Sequence, residues 1–349
     1  MTNERIEELI GLFPTRRIAV IGDFFLDKYL DVDPGIVEHS VESGKRAHQV
    51  VRIRHSPGAA GTVVLNLASL GAATIHTIGI VGDDGEAFDL FTDLHRLGCR
   101  TAGLIRSELR MTPTYLKPRD MTDTELSGEH DRYDTKNRDR TPLSLVGQVI
   151  GALDAVLPEL DGVVISDQVE MDGCGVITSE VRQALAERAK KYPRVVFLAD
   201  SRAHIHLFRN VIIKPNQFEA VGRPAPKPGD EVAEAELLEA ILRLRKENQA
   251  PVLVTCGARG MIVSDPEPEC VTGVNVPGKI DITGAGDSSS AGAVLALASG
   301  ATLAEAALIG NLVASITIQQ LATTGTATRE QVLERFGLWL SQRKEGNHE

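Results

Sequence analysis

Two kinds of apolar pattern alternate along the chain. Short runs with nearly every position apolar, many β-branched, recur at Arg17–Asp23, Thr74–Gly82, Asp161–Asp167, Arg194–Asp200, Asn210–Asn216 and Pro251–Gly257. Between them lie longer stretches with apolar residues three and four apart: Gly61–Gly71, about Glu86–Leu97, Val176–Lys191, Glu231–Glu247 and nearly everything after Gly284. The first kind predicts strands that are apolar on both faces, the second amphipathic helices. Their alternation predicts an α/β fold, a mainly parallel sheet with helices on both faces. Two stretches, Tyr29–His55 and Met111–Asp134, are polar and irregular with no helical period. Long structureless loops are uncommon in compact domains, so these predict strands of a small β-sheet projecting as a lid. Gly222–Glu231 (GRPAPKPGDE) reads as a surface loop. With no internal repeat, a single domain over residues 1–349 is expected.

The formal net charge of -11 argues against nucleic acid or an anionic membrane surface as partner. Cys99, Cys174, Cys256 and Cys270 are far apart and form no CxxC pair. They read as reduced thiols of a cytoplasmic protein. The first residues, MTNERIEELIGLFPTRR, are acidic and amphipathic and lack the apolar core of a signal peptide. No apolar run approaches the ~18 residues of a membrane span.

Asp23, Asp27, Asp167, Asp200 and Asn216 stand at or just beyond the carboxyl ends of predicted strands. Ligands bind along that edge in open α/β sheets. Neither GxxxxGK[ST] nor an early GxGxxG is present, which speaks against a P-loop and against a dinucleotide oxidoreductase. The segment Asp281–Gly292 (DITGAGDSSSAG) is more informative. Small residues at Gly284, Ala285 and Gly286 leave backbone N–H groups unshielded at a helix start, an anion site. Asp287, in the same turn, reads by itself as an ordinary helix-start acid. An acid there repels a resting phosphate, yet suits a base that takes a proton from an attacking alcohol.

DITGAGD resembles the DTxGAGD signature of the PfkB/ribokinase family of ATP-dependent sugar kinases. GDFFLDKY (Gly22–Tyr29), SPGAAGTVVLNLASLGA (Ser56–Ala72) and GIVGDDGEAF (Gly79–Phe88) are similar to its substrate and glycine segments. KPNQFE (Lys214–Glu219) matches NxxE, VTCGARG (Val254–Gly260) matches TxGxxG, and GTAT (Gly325–Thr328) falls where members have it. The matches are collinear over nearly the whole chain.

The resemblance implies a ribokinase-like fold with these roles. Asp287 would be the general base, and the amides of Gly284, Ala285 and Gly286 the anion hole for the γ-phosphoryl group. Asp27, Gly58, Ala59 and Thr62 would meet the sugar, with Asp23 assisting or only bracing its turn. Thr255, Gly257, Gly260 and Asn311 would border the nucleotide, although a plain turn and a solvent-facing Asn fit those positions too. Asn216 and Glu219 would act near Mg2+–ATP through water; their spacing fits a capping box equally well. Asp281 and Thr283 resemble positions that bind a monovalent cation such as K+ in some members. A homodimer joined through the lid is implied as well.

Departures narrow the acceptor. Pro57–Thr62 reads PGAAGT where many relatives have PGGAAN. GDFFLDKY, VVISDQ and GTAT are similar to heptose-phosphate kinase domains, which commonly show SDYxKG; here Gln168 replaces the tyrosine and the lysine is missing. Lys117, Arg119 or Arg202 would take over a substrate phosphate, although ordinary solvated charges fit those positions too. The nucleotidyltransferase half of the bifunctional heptose enzymes is not expected in this chain. Ser289 stands where relatives place a larger apolar residue. The expected activity is transfer of the γ-phosphoryl group of ATP to a hydroxyl of a sugar or sugar phosphate. The alternatives are a nucleoside kinase of the same fold and a catalytically silent sugar- or nucleotide-binding protein.

Overall fold

A computed structural model describes residues 1–346, apart from 124–127, 224–225, 228 and 322–323. Part of the expected lid and part of the expected loop Gly222–Glu231 thus lie outside the described residues. The central sheet contains β1 (Arg17–Gly22), β4 (Thr74–Gly82), β5 (Arg100–Ser107), β8 (Gly162–Asp167), β9 (Val196–Ser201) and β10 (Ile212–Ile213). Its order is β10-β9-β8-β1-β4-β5, parallel throughout. A second sheet, order β3-β2-β6-β7, comprises β2 (Phe24–His39), β3 (Arg46–Ala59), β6 (Thr114–Asp120) and β7 (Tyr133–Thr135). A third joins β11 (Leu253–Thr255), β12 (Met261–Val263) and β13 (Glu269–Val271). Single bridges, Ile213–Val252 and Asn216–Thr255, tie it to the end of the central sheet.

The helices are α1 (Asn3–Gly11), α2 (Ala60–Ser69), α3 (Gly85–Arg96), α4 (Leu143–Val156) and α5 (Ser179–Lys191), then α6 (Gln217–Ala220), α7 (Glu234–Asn248), α8 (Ala285–Ala298), α9 (Leu303–Thr317) and α10 (Arg329–Gly346). Successive strand residues point to opposite faces, and both faces are covered. Ile18, Val20, Val164 and Leu198 pack toward α2, α8 and α9, while Ala19, Ile21, Val163 and Ile165 pack toward α4, α5 and α7. Burial on both sides is why these strands read as unbroken apolar runs. Side-chain caps start several helices where the pattern begins: Asp84 for α3, Thr178 for α5, and a Thr302–Glu305 capping box for α9.

The lid is a real sheet, but its strands exceed the expected limits. β2 begins at Phe24 because Phe24, Phe25 and Leu26 are buried and continue the core before the strand turns polar. It pairs with β3 as a long antiparallel hairpin and with β6 in parallel, so the lid sheet is mixed.

Candidate functional site

β2 carries Asp27 from the sheet edge into the lid. Its carboxylate lies 3.0 Å from the Lys117 ammonium of β6. Burial works against that ammonium, but Asp27 and Tyr29 outweigh it and raise its pKa. Asp27 also rests against β3: a Cβ at Gly58 would sit 2.7 Å from its Oδ2, which is why a glycine stands there. Ala59 follows with φ 54 and ψ -117 and starts α2.

On the main body, α8 begins at Gly284, left-handed at φ 76. The methyl of Thr62 would lie 3.1 Å from a Cβ at Gly284, so α2 closes that side of the loop. Asp287 stands in the first turn of α8. Burial pushes its carboxyl up to about 7; Asp200 and Asp27 add to the rise, and Lys214 and Arg202 oppose it. Asp200 is 2.8 Å from the buried Lys214 ammonium. The hydroxyls of Ser288 and Ser289 donate back to Ala285 and Gly286 carbonyls at 3.0 and 2.8 Å. Ser289 is thus satisfied inside its own helix.

A cleft of about 160 Å3 separates the two sides. Asp27, Ala59, Tyr115, Lys117 and Arg132 of the lid face Thr62, Gln168, Arg202, Thr283, Gly284 and Asp287 across it. Of the expected site residues, Asp27, Ala59, Thr62, Lys117, Thr283, Gly284 and Asp287 line this cleft together. Arg119 lies farther out on β6, opposite Asp31, and donates to the Asp123 carbonyl at 2.6 Å. Arg132, Asp200 and Lys214 were not among the expected site residues. Asp200 was legible as a strand-end acid, whereas a lysine or arginine beside a strand reads as an ordinary solvated charge.

Several of the expected site residues make structural contacts. Asp23 is 3% exposed, and its oxygens accept the N–H groups of Gln168, Val169 and Val176 at 2.9, 3.2 and 2.7 Å. It braces the 168–176 loop. Burial, with Asp167 nearby, raises its pKa to about 6. Asn311 donates to the Val271 carbonyl at 3.1 Å and ties α9 to β13, so it is buried and does not face solvent. A Cβ at Gly260 would fall 2.2 Å from the Val271 carbonyl, so close backbone packing requires that glycine. Gly257 opens the same turn, and Thr255, at the end of β11, donates its N–H to the Pro215 carbonyl. Asp281 accepts the Thr283 N–H at 3.0 Å, bracing the loop before α8.

Asn216 and Glu219 form a complete capping box. Asn216 accepts the Phe218 and Glu219 N–H groups, and Glu219 accepts the Asn216 N–H, at 2.9, 2.9 and 2.8 Å. Burial pushes the Glu219 carboxyl up to about 7, with Asp200 adding to it. Among the described residues no three His, Cys, Asp or Glu side chains converge as a direct metal cage. Two buried or half-buried carboxylates, Asp200 and Glu219, near each other fit a hydrated Mg2+ that keeps its waters and takes its other ligands from phosphates.

A parallel sheet with a strand-built lid, facing a glycine-led helix start across a cleft, defines a ribokinase-like kinase fold. Solved structures agree. Phosphofructokinase-2 from Escherichia coli in complex with substrates and products superposes with a TM-score of 0.68 at 20% identity, covering 93% of this chain and 99% of that one. Arabidopsis thaliana ribokinase complexed with ribose and ATP gives 0.64 at 16% identity, covering 92% and 98%. The family model described as pfkB family carbohydrate kinase matches residues 16–329, and the chain belongs to that family. It is a phosphotransferase with a carbohydrate acceptor. Among relatives, the Bifunctional protein HldE of Caulobacter sp. (strain K31) is 31% identical over 95% of this chain and 65% of its own length. That of Pseudomonas syringae pv. syringae is 30% identical over 95% and 67%. The chain thus spans about two thirds of these relatives' length. No helix among the described residues is long and apolar enough to cross a membrane.

Proposed function

We propose that the chain transfers the γ-phosphoryl group of Mg2+–ATP to a hydroxyl of a sugar phosphate, with Asp287 as the general base. The observation that carries this reading is Asp287 on the cleft floor beside the Gly284–Gly286 amides, opposite Asp27 on the lid. A carboxyl pushed up to about 7 is matched to accepting a proton near neutral pH. Asp27 and Gly58 would orient the acceptor, the amides of Gly284, Ala285 and Gly286 would take the transferring oxygens, and the lid would exclude water. When bound, Mg2+ would offset charge on the β- and γ-phosphates; Asp200 and Glu219 would hold its waters. The groove of about 450 Å3 beside the Gly257–Gly260 turn, lined by Ala258, Arg259, Thr272 and Asn275, suits the nucleoside part of ATP.

A phosphorylated acceptor is favoured by the cations on the cleft. Lys117, Arg132 and Arg202 all line it, although the heptose kinases' SDYxKG lysine is missing. The HldE relatives favour a heptose phosphate within that class. We also assign the lid as the contact of a homodimer.

Asp287→Asn is expected to lower phosphoryl transfer by several orders of magnitude while ATP still binds. ADP release with a panel of sugars and sugar phosphates measures the first, calorimetry the second. Near-normal turnover in that variant would refute the mechanism. Nucleotide and sugar-phosphate binding without turnover in the unmodified protein would instead favour a silent binder.

A further inference from the structure

We propose that α10 clamps the wall of the nucleotide groove, with Trp339 and Gln342 as positioning residues for the nucleoside part of ATP. The inference rests on the kinase reading and on the groove assigned to the nucleoside above. Thr272, Gly273 and Asn275 line that groove beside Gln342. β13 ends at Val271, so residues 272–275 have left the three-stranded sheet. Backbone groups beyond a ladder need other partners to stay in one place.

α10 supplies them. The Asn275 N–H donates to Gln342 Oε1 at 3.1 Å, and Gln342 Nε2 donates to the Asn275 carbonyl at 2.8 Å. Three residues earlier, on the same helix face, Trp339 Nε1 donates to the Thr272 carbonyl at 3.1 Å and lies 3.3 Å from its Oγ1. Trp339 is 4% exposed; its ring stacks on Phe336 at 5.6 Å, with the Arg343 guanidinium over it at 4.8 Å. An indole packed in this way aims its N–H in one direction. From the other side, a Cβ at Gly260 would fall 2.4 Å from the Gly273 nitrogen, so the 257–260 turn touches the same segment. The wall is pinned between turn and helix.

Val332, Phe336 and Trp339 already anchor α10 in the core. Gln342 is only partly buried, yet it spends both ends of its amide on the backbone of one groove residue. α10 opens at Arg329, where the match to the family model ends, so the clamp lies outside the motifs the chain shares with that family. A wall fixed beforehand leaves less freedom to be lost when the nucleoside arrives. Asp287 lines the separate cleft under the lid. Loss of the clamp should therefore weaken nucleotide binding and spare the chemistry at the acceptor.

Trp339 is the only tryptophan of the chain, so its emission reads the wall directly. It should change when nucleotide binds and stay constant with a sugar phosphate alone. Fluorescence and calorimetric titrations with Mg2+ compare ADP and the β,γ-imido analogue of ATP in the unmodified protein, in Gln342→Ala and in Gln342→Glu, which sets a carboxylate against the Asn275 carbonyl. Ser341→Ala, at an exposed position of the same helix, is the control. Both Gln342 variants should bind both nucleotides about tenfold more weakly, with kcat at saturating ATP and the KM of the acceptor unchanged. Unchanged affinities, a loss confined to kcat, an equal loss in Ser341→Ala, or emission that ignores a nucleotide seen to bind by calorimetry overturns the proposal. Failure of the kinase reading is a separate outcome, seen when the unmodified protein binds nucleotide yet phosphorylates no acceptor; binding of neither nucleotide overturns both.

Discussion

Burial at the cleft floor, with Asp200 and Asp27 close by, pushes the Asp287 acid up to about 7, well above the ordinary aspartate value of 3.8. The folded chain then binds a proton that the unfolded chain releases between those limits. Stability from this group is fully present below about pH 4 and is lost as pH rises through about 7. Glu219 and Asp23, raised to about 7 and about 6, act in the same direction. Asp287→Asn should therefore raise the melting temperature of the ligand-free protein by a few degrees at pH 8 and leave it nearly unchanged at pH 4. Scanning calorimetry at the two values checks this, and an equal shift at both would contradict it. Single residues were legible unevenly. Asp287 stood out because an acid beside an anion nest is a conflict that needs a reason. Lys214 did not, because its ion pair joins positions 200 and 214 from neighbouring strands, and no local pattern records that meeting.

The start of α2 shows an element kept under strain. Ala59, at φ 54 and ψ -117, occupies backbone territory that suits glycine, and relatives with PGGAAN have glycine at that place. Such a residue costs about 1–3 kcal/mol, while glycine would add about 0.5–1 kcal/mol of chain entropy to be lost on folding. Ala59→Gly is expected to stabilise by about 1 kcal/mol in net terms, read from the urea midpoint; destabilisation would show that the strain is absent. Most elements could be placed from the sequence because burial on both faces gives strands their unbroken apolar runs. β5 could not, since only Leu104 of its eight residues is buried. β10 shrinks to two residues because Lys214 and Asn216 turn the chain into the site and the α6 cap. The box from Asn216 to Glu219 fitted cap and metal site alike in the sequence; the bonds show the cap.

At the scale of the whole molecule, the lid leaves apolar surface uncovered. Val37, Val41 and Ile53 are 62%, 103% and 57% exposed, the kind of patch that marks an interaction surface. With a lid-joined dimer, Val37→Glu/Ile53→Glu should yield monomers in light scattering, while single copies of the unmodified protein at all concentrations would rule the dimer out. The sheet order, with β1 between β8 and β4, was beyond reach of local pattern, because it depends on which crossovers cover which face. β2 is one unbroken element from the core at Phe24 to the lid's far end at His39, bent where its pairing with β3 shifts near Val32. Asp27 sits near its base, about 40 Å of extended chain from that end. On the proposed reading, in which Asp27 orients the acceptor, the strand is a lever that pivots there, and a small rotation is magnified at its tip. A dye placed near Val41 would read out arrival of the sugar optically, with no need to follow ADP at all.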